Sequence, residues 1–335
     1  MQLPLRGAGT QAAVTKNRQF LQRHTQTWQP ESLFSPVYPR VWGQGAAKAG
    51  PQPFFMLSFM HAFMTKYHAL SKIDHAGQSF QRYTSYGFAA AQNIAPLVQQ
   101  ELAKACMSLA IGFMRQGEHF MPVAVQGFLP GKNLLVAPDG RWLGQYIPAA
   151  YRGYPFALLP NEAGQLVLCI DTDSGLLADA DAEGQGEALF DAQGEPTQAI
   201  QQVMHFLEQT ARNRQATLDT CKALAQQQLL QPWPMEVHTA QGKKEIAGLF
   251  RIDEAALNQL DAQALKALQQ GGGLQMAYMQ LLSMQHLDKL AELAKAHEQH
   301  EQAQAQTAAA LPVNSKGELD LEFLNQTDTL SFSGL

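Results

Sequence analysis

The residues most able to do chemistry lie at the end of an apolar run, QLVLCIDTDSGLL, spanning Gln165 to Leu177. Asp171 and Asp173 are two residues apart at the mouth of an expected strand, a spacing open to a cation site, a carboxylate pair or a turn. A calcium loop needs acids at positions 1, 3 and 5, Gly at 6 and Glu at 12. Counted from Asp171, Gly175 takes position 5 and Ala182 position 12. Counted from Asp179, Asp181, Glu183 and Gly184 fit, but Phe190 stands where the bidentate Glu belongs. An aspartyl nucleophile of the DxDx[TV] kind is broken by Gly175, and the DTG of aspartic proteases by Asp173. The favoured reading is a turn closed by the Asp171 side chain, with Asp173 solvated. The alternative is an enzyme using Asp171 and Asp173, with or without a divalent cation.

A second candidate is RWLGQYIPAAYRGYPF, Arg141 to Phe156. Arg141, Trp142, Tyr146, Arg152 and Tyr154 combine flat faces with planar cations, a chemistry that stacks a sugar ring, a peptide aromatic or another flat group. These five are the expected ligand-binding residues. The competing reading puts the rings in the core and lets the arginines reach water. The histidines add little: HEQH, His297 to His300, has i, i+3 spacing where HExxH needs i, i+4. GxSxG, P-loop and GxGxxG motifs are absent, and Gly271 to Gly273 is a helix break. The expectation is therefore no catalytic constellation, no metal site and no cofactor.

Around these segments the chain alternates between two periods. Ala95 to Cys106 carries Leu97, Val98, Leu102 and Ala105 at helical spacing. LAIGFM, FMPVAVQGF, LLVA, RWLGQYI, YPFALLP and QLVLCI then read as strands broken by Gly, Pro, Asn and Asp. From Thr197 a helical face runs through Ile200, Val203, Met204, Leu207, Ala211, Leu218, Cys221 and Leu224. A hairpin turning near Gln241 follows, then helices capped by Asp253 and Asp261. A long helix begins at Leu274 with Leu281, Met284, Leu287, Ala291 and Ala294 on one face. Its start, LQMAYMQLLSM, is either core or an adaptable partner surface. The fold expected is α+β: an antiparallel β-meander, then helices, a short hairpin and a long C-terminal helix.

The 335-residue chain carries 24 Lys/Arg and 29 Asp/Glu, of which Met1 to Phe63 hold six and one. The remainder is strongly acidic, and Gly153 to Ala211 contains no Lys or Arg. Such a surface repels phosphate backbones, so nucleic acid is not expected as a partner. Cys106, Cys169 and Cys221 are odd in number and widely spaced among apolar residues, which suits reduced thiols in a cytoplasmic setting. The Phe54–Met64 run is far shorter than the roughly 20 residues of a spanning helix. Three regions are expected: 1–63 as a disordered or non-native extension, 64–297 as the α+β domain, and 298–335 as a polar linker and tail. In the tail, Leu319, Leu321 and Phe323 alternate as a possible terminal strand.

Several blocks, in order, resemble the SapC family of bacterial proteins: RYTSYGFAAAQNIAPLV, MPVAVQGFLPGKNLLVAPDGRWLGQYIPAAYRGYPFALL, LVLCIDTDSGLL, LFDAQGEPT, QPWPMEV, GLFRIDEAALNQL and MAYMQLLSMQHLDKL. The resemblance runs from about Tyr67 to about Leu293. It implies association with a bacterial surface layer or envelope and supplies no catalytic residues. It also implies a start near Met64. The expected function is a soluble, non-enzymatic accessory protein that binds a protein or glycan ligand.

Overall fold

The computed structural model describes residues 67–161, 163–179, 186–239 and 242–310. The 1–63 extension, the terminal strand near Leu319 and the Asp181–Glu183 part of the acidic loop lie outside the described residues.

The architecture is α+β. Thirteen strands occur among the described residues, in four antiparallel sheets. The largest has the order β10-β13-β4-β5-β3, with β3 at Ile94–Pro96, β4 at Ala110–Gln116, β5 at His119–Val125, β10 at Leu230–Pro232 and β13 at Leu249–Ile252. Its centre is the β4–β5 hairpin, which pairs Ala110 with Val125 through to Gln116 with His119. Gly117 turns it at φ 59°, in the left-handed region that glycine enters without penalty. A second sheet orders β1 (Tyr67–Ala69), β7 (Leu166–Asp171) and β6 (Phe156–Pro160). A third orders β8 (Leu177–Asp179), β2 (Gln78–Phe80) and β9 (Glu187–Ala188), and β11 (Met235–Thr239) with β12 (Gly242–Ile246) forms a separate hairpin.

Helices α1 (Leu102–Ala105) and α2 (Ala149–Arg152) are single turns, and α3 (Gln198–Gln226) has 29 residues. After them come α4 (Glu254–Asn258), α5 (Ala262–Gln270), α6 (Gly273–Ser283) and α7 (His286–Ala310). The expected caps form: Asp253 accepts from the Ala256 N–H at 3.0 Å and Asp261 from the Ala264 N–H at 2.7 Å. Thr197 stands at the N-cap of α3, but its hydroxyl donates to the Ala188 carbonyl at 2.7 Å and ties the helix start to β9.

Apolar side chains gather in two clusters. The larger holds Leu97, Leu109, Ile111, Phe113, Val123 and Ile252 under α4 to α7; the smaller holds Phe80, Phe156, Leu168, Ile170, Leu189 and Ile200. Helix α3 serves both. Its first half places Ile200, Val203, Met204 and Leu207 in the small cluster, and its second half places Cys221 and Leu224 in the large one.

Three local expectations differ from what is found. Ala95 begins no helix: Ile94, Ala95 and Pro96 pair with Val125, Ala124 and Val123 as the edge strand β3. An edge position tolerates proline because one row of its backbone groups needs no ladder partner. The LLVA and RWLGQYI runs are not sheet strands. They meet through the isolated Val136–Trp142 bridge, because their backbone groups find other partners: Leu135 N–H donates to the Asn133 side chain at 3.0 Å, and Ala137 N–H to the Arg141 carbonyl at 2.8 Å. The meander is thereby divided between two sheets. The long helix from Leu274 is interrupted at Met284–Gln285. Buried Ser283 donates to the Gln280 carbonyl at 2.6 Å and accepts from the Ile111 N–H at 3.0 Å, and the His286 ring bonds the Cys106 carbonyl at 3.0 Å. These tertiary bonds fix the turn of chain between α6 and α7.

Candidate functional site

The Arg141–Phe156 segment is organised by a residue from elsewhere in the chain. Glu101 is 5% exposed. It sits at the end of the short 3-10 turn Gln99–Glu101, and its Oε1 reaches back to accept from the Val98 N–H at 2.9 Å, half of a capping box. Its Oε2 accepts from the Tyr146 hydroxyl at 2.9 Å and from the Ala149 N–H at 2.7 Å, at the start of α2. Arg152, at the end of α2, approaches the same oxygen at 3.5 Å and donates to the Tyr146 hydroxyl at 2.5 Å. A buried carboxylate is tolerated when its lone pairs are filled by donors, and here both oxygens are engaged.

The Arg152 guanidinium is partly exposed and lies between two rings. Its Cζ is 5.4 Å from the Tyr146 ring centroid and 5.7 Å from that of Phe206 on α3. Gly153 lies close to α3: a Cβ there would come 2.7 Å from Leu207 Cδ2, so that side chain would have to shift.

Beside Arg152 lies an array of aromatic rings in mutual contact. Phe88 stacks on Tyr154 with centroids 3.9 Å apart and planes 10° apart. Tyr83 meets Tyr86, Phe88 and Tyr154 edge to face, Tyr86 touches Trp142, and Trp142 touches Tyr151. Tyr151 is buried, whereas Tyr83, Tyr86, Phe88, Trp142 and Tyr154 each keep part of their surface in solvent. Trp142 Nε1 donates to the Tyr146 carbonyl at 3.1 Å, which holds the indole against the loop. Below the rings, the Tyr151 hydroxyl donates to Gln126 Oε1 at 2.6 Å, and Asn133 donates to the same oxygen at 3.2 Å.

Burial raises the hydroxyl pKa values of Tyr83, Tyr146, Tyr151 and Tyr154. Tyr83 is pushed up to about 12, first by burial and then by Tyr86. Tyr154 is pushed up to about 12, first by burial and then by Asp171. Tyr146 is raised by burial and by the Glu101 carboxylate, and Tyr151 by burial. In the neutral form the Tyr146, Tyr151 and Tyr154 hydroxyls donate to Glu101, Gln126 and Asp171.

Of the five residues expected to bind a ligand, four belong to this arrangement: Trp142, Tyr146, Arg152 and Tyr154. Arg141 stands apart in its contacts. It is exposed and donates to Asp139 at 2.6 Å. Tyr83, Tyr86 and Phe88 join the array from outside the Arg141–Phe156 segment, and RYTSYGF shows them as a close-set aromatic group. Glu101 carries no such signal, because Val98 in VQQE has no side-chain oxygen to mark a capping box.

At the opening pair, Asp171 is buried at the end of β7. Its Oδ1 accepts from the Asp173 N–H at 3.0 Å and its Oδ2 from the Tyr154 hydroxyl at 3.2 Å. Gly175 closes the turn at φ 69°. The Asp173 side chain is exposed, so the residues meet through side chain and backbone. Asp171 thus performs turn chemistry and also anchors the ring array through Tyr154. Among the described residues no group of three or more His, Cys, Asp or Glu is placed to hold a metal ion. No described helix is long and apolar enough to cross a membrane.

This geometry sets an order on two substitutions. Tyr154→Ala is expected to cost about 3–4 kcal/mol, because it removes the stacked partner of Phe88 and the hydroxyl on Asp171. Arg152→Ala is expected to cost about 1 kcal/mol, since its partly exposed head is weakly stabilising and Glu101 keeps three other donors. Urea unfolding of both variants measures the difference, and equal small losses would show that the rings contribute little to the fold.

A family model described as SapC matches residues 70–290. The chain belongs to the SapC family. The matched stretch includes Glu101, the ring array, Asp171 and α3, so the whole arrangement lies inside the SapC region. No curated protein and no solved structure matches the chain.

Proposed function

We propose that the chain is a non-enzymatic accessory protein of a bacterial surface-layer or envelope-associated system, acting as a soluble cytoplasmic binding protein. The partly exposed ring array beside Arg152 is its recognition surface. The observation that carries this reading is the combination at one place of Tyr83, Tyr86, Phe88, Trp142 and Tyr154 with a guanidinium held by a buried carboxylate. Flat faces supply apolar contact, neutral hydroxyls supply direction, and Arg152 supplies a fixed positive charge in an otherwise acidic region. That chemistry suits a sugar ring or an aromatic peptide group on a glycan or protein partner. Family membership supports the envelope setting.

The test is affinity capture from native cells with the full chain as bait, in parallel with Tyr83→Ser and Arg152→Gln. Arg152 is exposed and Tyr83 half-buried, and the far-ultraviolet dichroism of each variant checks that it folds. The expected result is a reproducible envelope-associated ligand whose capture falls at least about tenfold with either variant. Capture that is unchanged by both would remove the ring array from recognition.

A further inference from the structure

The Arg152 head has donors to spare. A guanidinium carries N–H groups on Nε and on both Nη atoms and accepts nothing. The protein engages Nη2 alone, through the Tyr146 hydroxyl and Glu101 Oε2. Among the described residues, Nε and Nη1 have no acceptor. The side chain is 41% exposed, so these N–H groups are open to a ligand. The head is also fixed in place. Glu101 and Tyr146 hold one end of it, and the Tyr146 and Phe206 rings flank its Cζ. A guanidinium held in this way loses little freedom on binding, and its planar donors match a carboxylate. The open donors border the ring array. Burial raises the Tyr83 hydroxyl pKa and the Arg152 charge opposes that rise, so the hydroxyl lies within the field of the guanidinium.

Charge decides which anion fits. Glu101 already offsets the Arg152 charge, Asp171 stands beneath Tyr154, and no Lys or Arg occurs from Gly153 to Ala211. One negative charge can meet the open donors at contact distance. A second charge, as on a phosphate, would add repulsion from both carboxylates. The rings decide the body of the ligand. Phe88 and Tyr154 stack on each other, and Tyr83 meets both edge to face. The array is thus a closed platform, with no gap between these rings for an inserted aromatic side chain. A sugar needs only one open ring face for its C–H groups and polar groups at the margin for its hydroxyls.

We propose that the ring array takes a glycan bearing a carboxylated sugar of the uronic-acid class, with the sugar carboxylate on the open N–H groups of Arg152. This rests on the reading of the array as a recognition surface and adds the class of ligand.

Ligand-detected NMR titration of the full 335-residue chain tests it, with methyl β-glucuronide and methyl β-glucoside as probes. The two differ only in carrying a carboxylate or a hydroxymethyl group. The glucuronide should bind at least about tenfold more tightly. Arg152→Gln should bring the two within about twofold of each other by weakening the glucuronide alone, whereas Tyr83→Ser should weaken both. Circular dichroism checks that each variant folds. Equal affinities that still fall in Tyr83→Ser overturn the carboxylate inference and leave the array as a recognition surface. Glucuronide binding unchanged in both variants overturns the inference and the array together. A sugar phosphate, glucose 6-phosphate, that binds as tightly as the glucuronide overturns the preference for a single charge, and with it the proposal. Tighter binding of N-acetylphenylalanine assigns the site to a peptide carboxylate and overturns the glycan. No glucuronide binding up to about 10 mM overturns the proposal outright.

Discussion

Glu101→Ala is expected to destabilise the fold by about 3–5 kcal/mol, the scale found when one member of a buried charged network is removed. The carboxylate is the common acceptor for Val98 N–H, Tyr146 hydroxyl, Ala149 N–H and Arg152. Its loss costs about 1–3 kcal/mol for each donor left buried and unpaired. Arg152 recovers part of its hydration because its head is partly exposed, so most of the loss falls on the two backbone N–H groups and the tyrosine. Glu101→Gln should lie between wild type and alanine: its amide oxygen can still accept, while its NH₂ must face a donor. Tyr146→Phe removes one of the bonds and should cost about 1 kcal/mol. Urea unfolding midpoints rank the three, and a Glu101→Ala loss below about 1 kcal/mol would show that water replaces the carboxylate freely.

Alkaline unfolding should be sharp, starting above pH 10 and complete near pH 12. Tyr67, Tyr83, Tyr146, Tyr151 and Tyr154 all have hydroxyl pKa values raised above the ordinary value of 10.0 in the folded chain. Burial is the first cause in each case, with Asp171 adding to Tyr67 and Tyr154 and Glu101 adding to Tyr146. Below pH 10 these tyrosines are neutral in both states, and their contribution to stability is fully present. Above pH 10 the unfolded chain loses protons that the folded chain retains, so stability falls as pH rises. The slope is about 1.4 kcal/mol per pH unit for a fully buried tyrosine, and less for the partly exposed Tyr83, Tyr146 and Tyr154, where solvent screens the effect. The loss levels off only as pH passes the folded-state values. Tyrosinate absorbance near 295 nm should therefore appear together with loss of the far-ultraviolet dichroism. Ionisation of these tyrosines around pH 10 with the dichroism intact would show that they are open to water.

What was legible in the sequence was mostly what short-range chemistry decides. Asp253 and Asp261 cap helices because their side chains reach N–H groups three residues on. The β4–β5 hairpin follows from alternation on both sides of Gly117, and the Asp171 turn from an acid two residues before an available N–H. The two-sheet division was hidden because β7 takes its second partner from Tyr67–Ala69, about a hundred residues earlier. The end of α6 was hidden for a similar reason. Leu281, Met284 and Leu287 continue the helical period without a breaker, and the interruption comes from bonds to Ile111 and Cys106. In the candidate site, the tyrosines and Arg152 announced themselves by type. Glu101 did not, because a glutamate in VQQE resembles any solvated acid until the 146–152 turn folds over it.

Helix α3 gives the molecule a single mechanical spine. One end is set among Phe156 and Ile170, and the other meets Leu229 and Met276, with no break in its 29 residues. Two separate oil drops threaded on one rod cannot loosen independently: fraying the rod at either end takes apolar cover from the drop around it and strains the turns leading to the other. Thr217 and Thr220, in its second half, add clasps to Gln99, just two residues from Glu101. Helix α3 therefore links the small sheet to the large one through one continuous element, and the two cores are expected to share one melting transition.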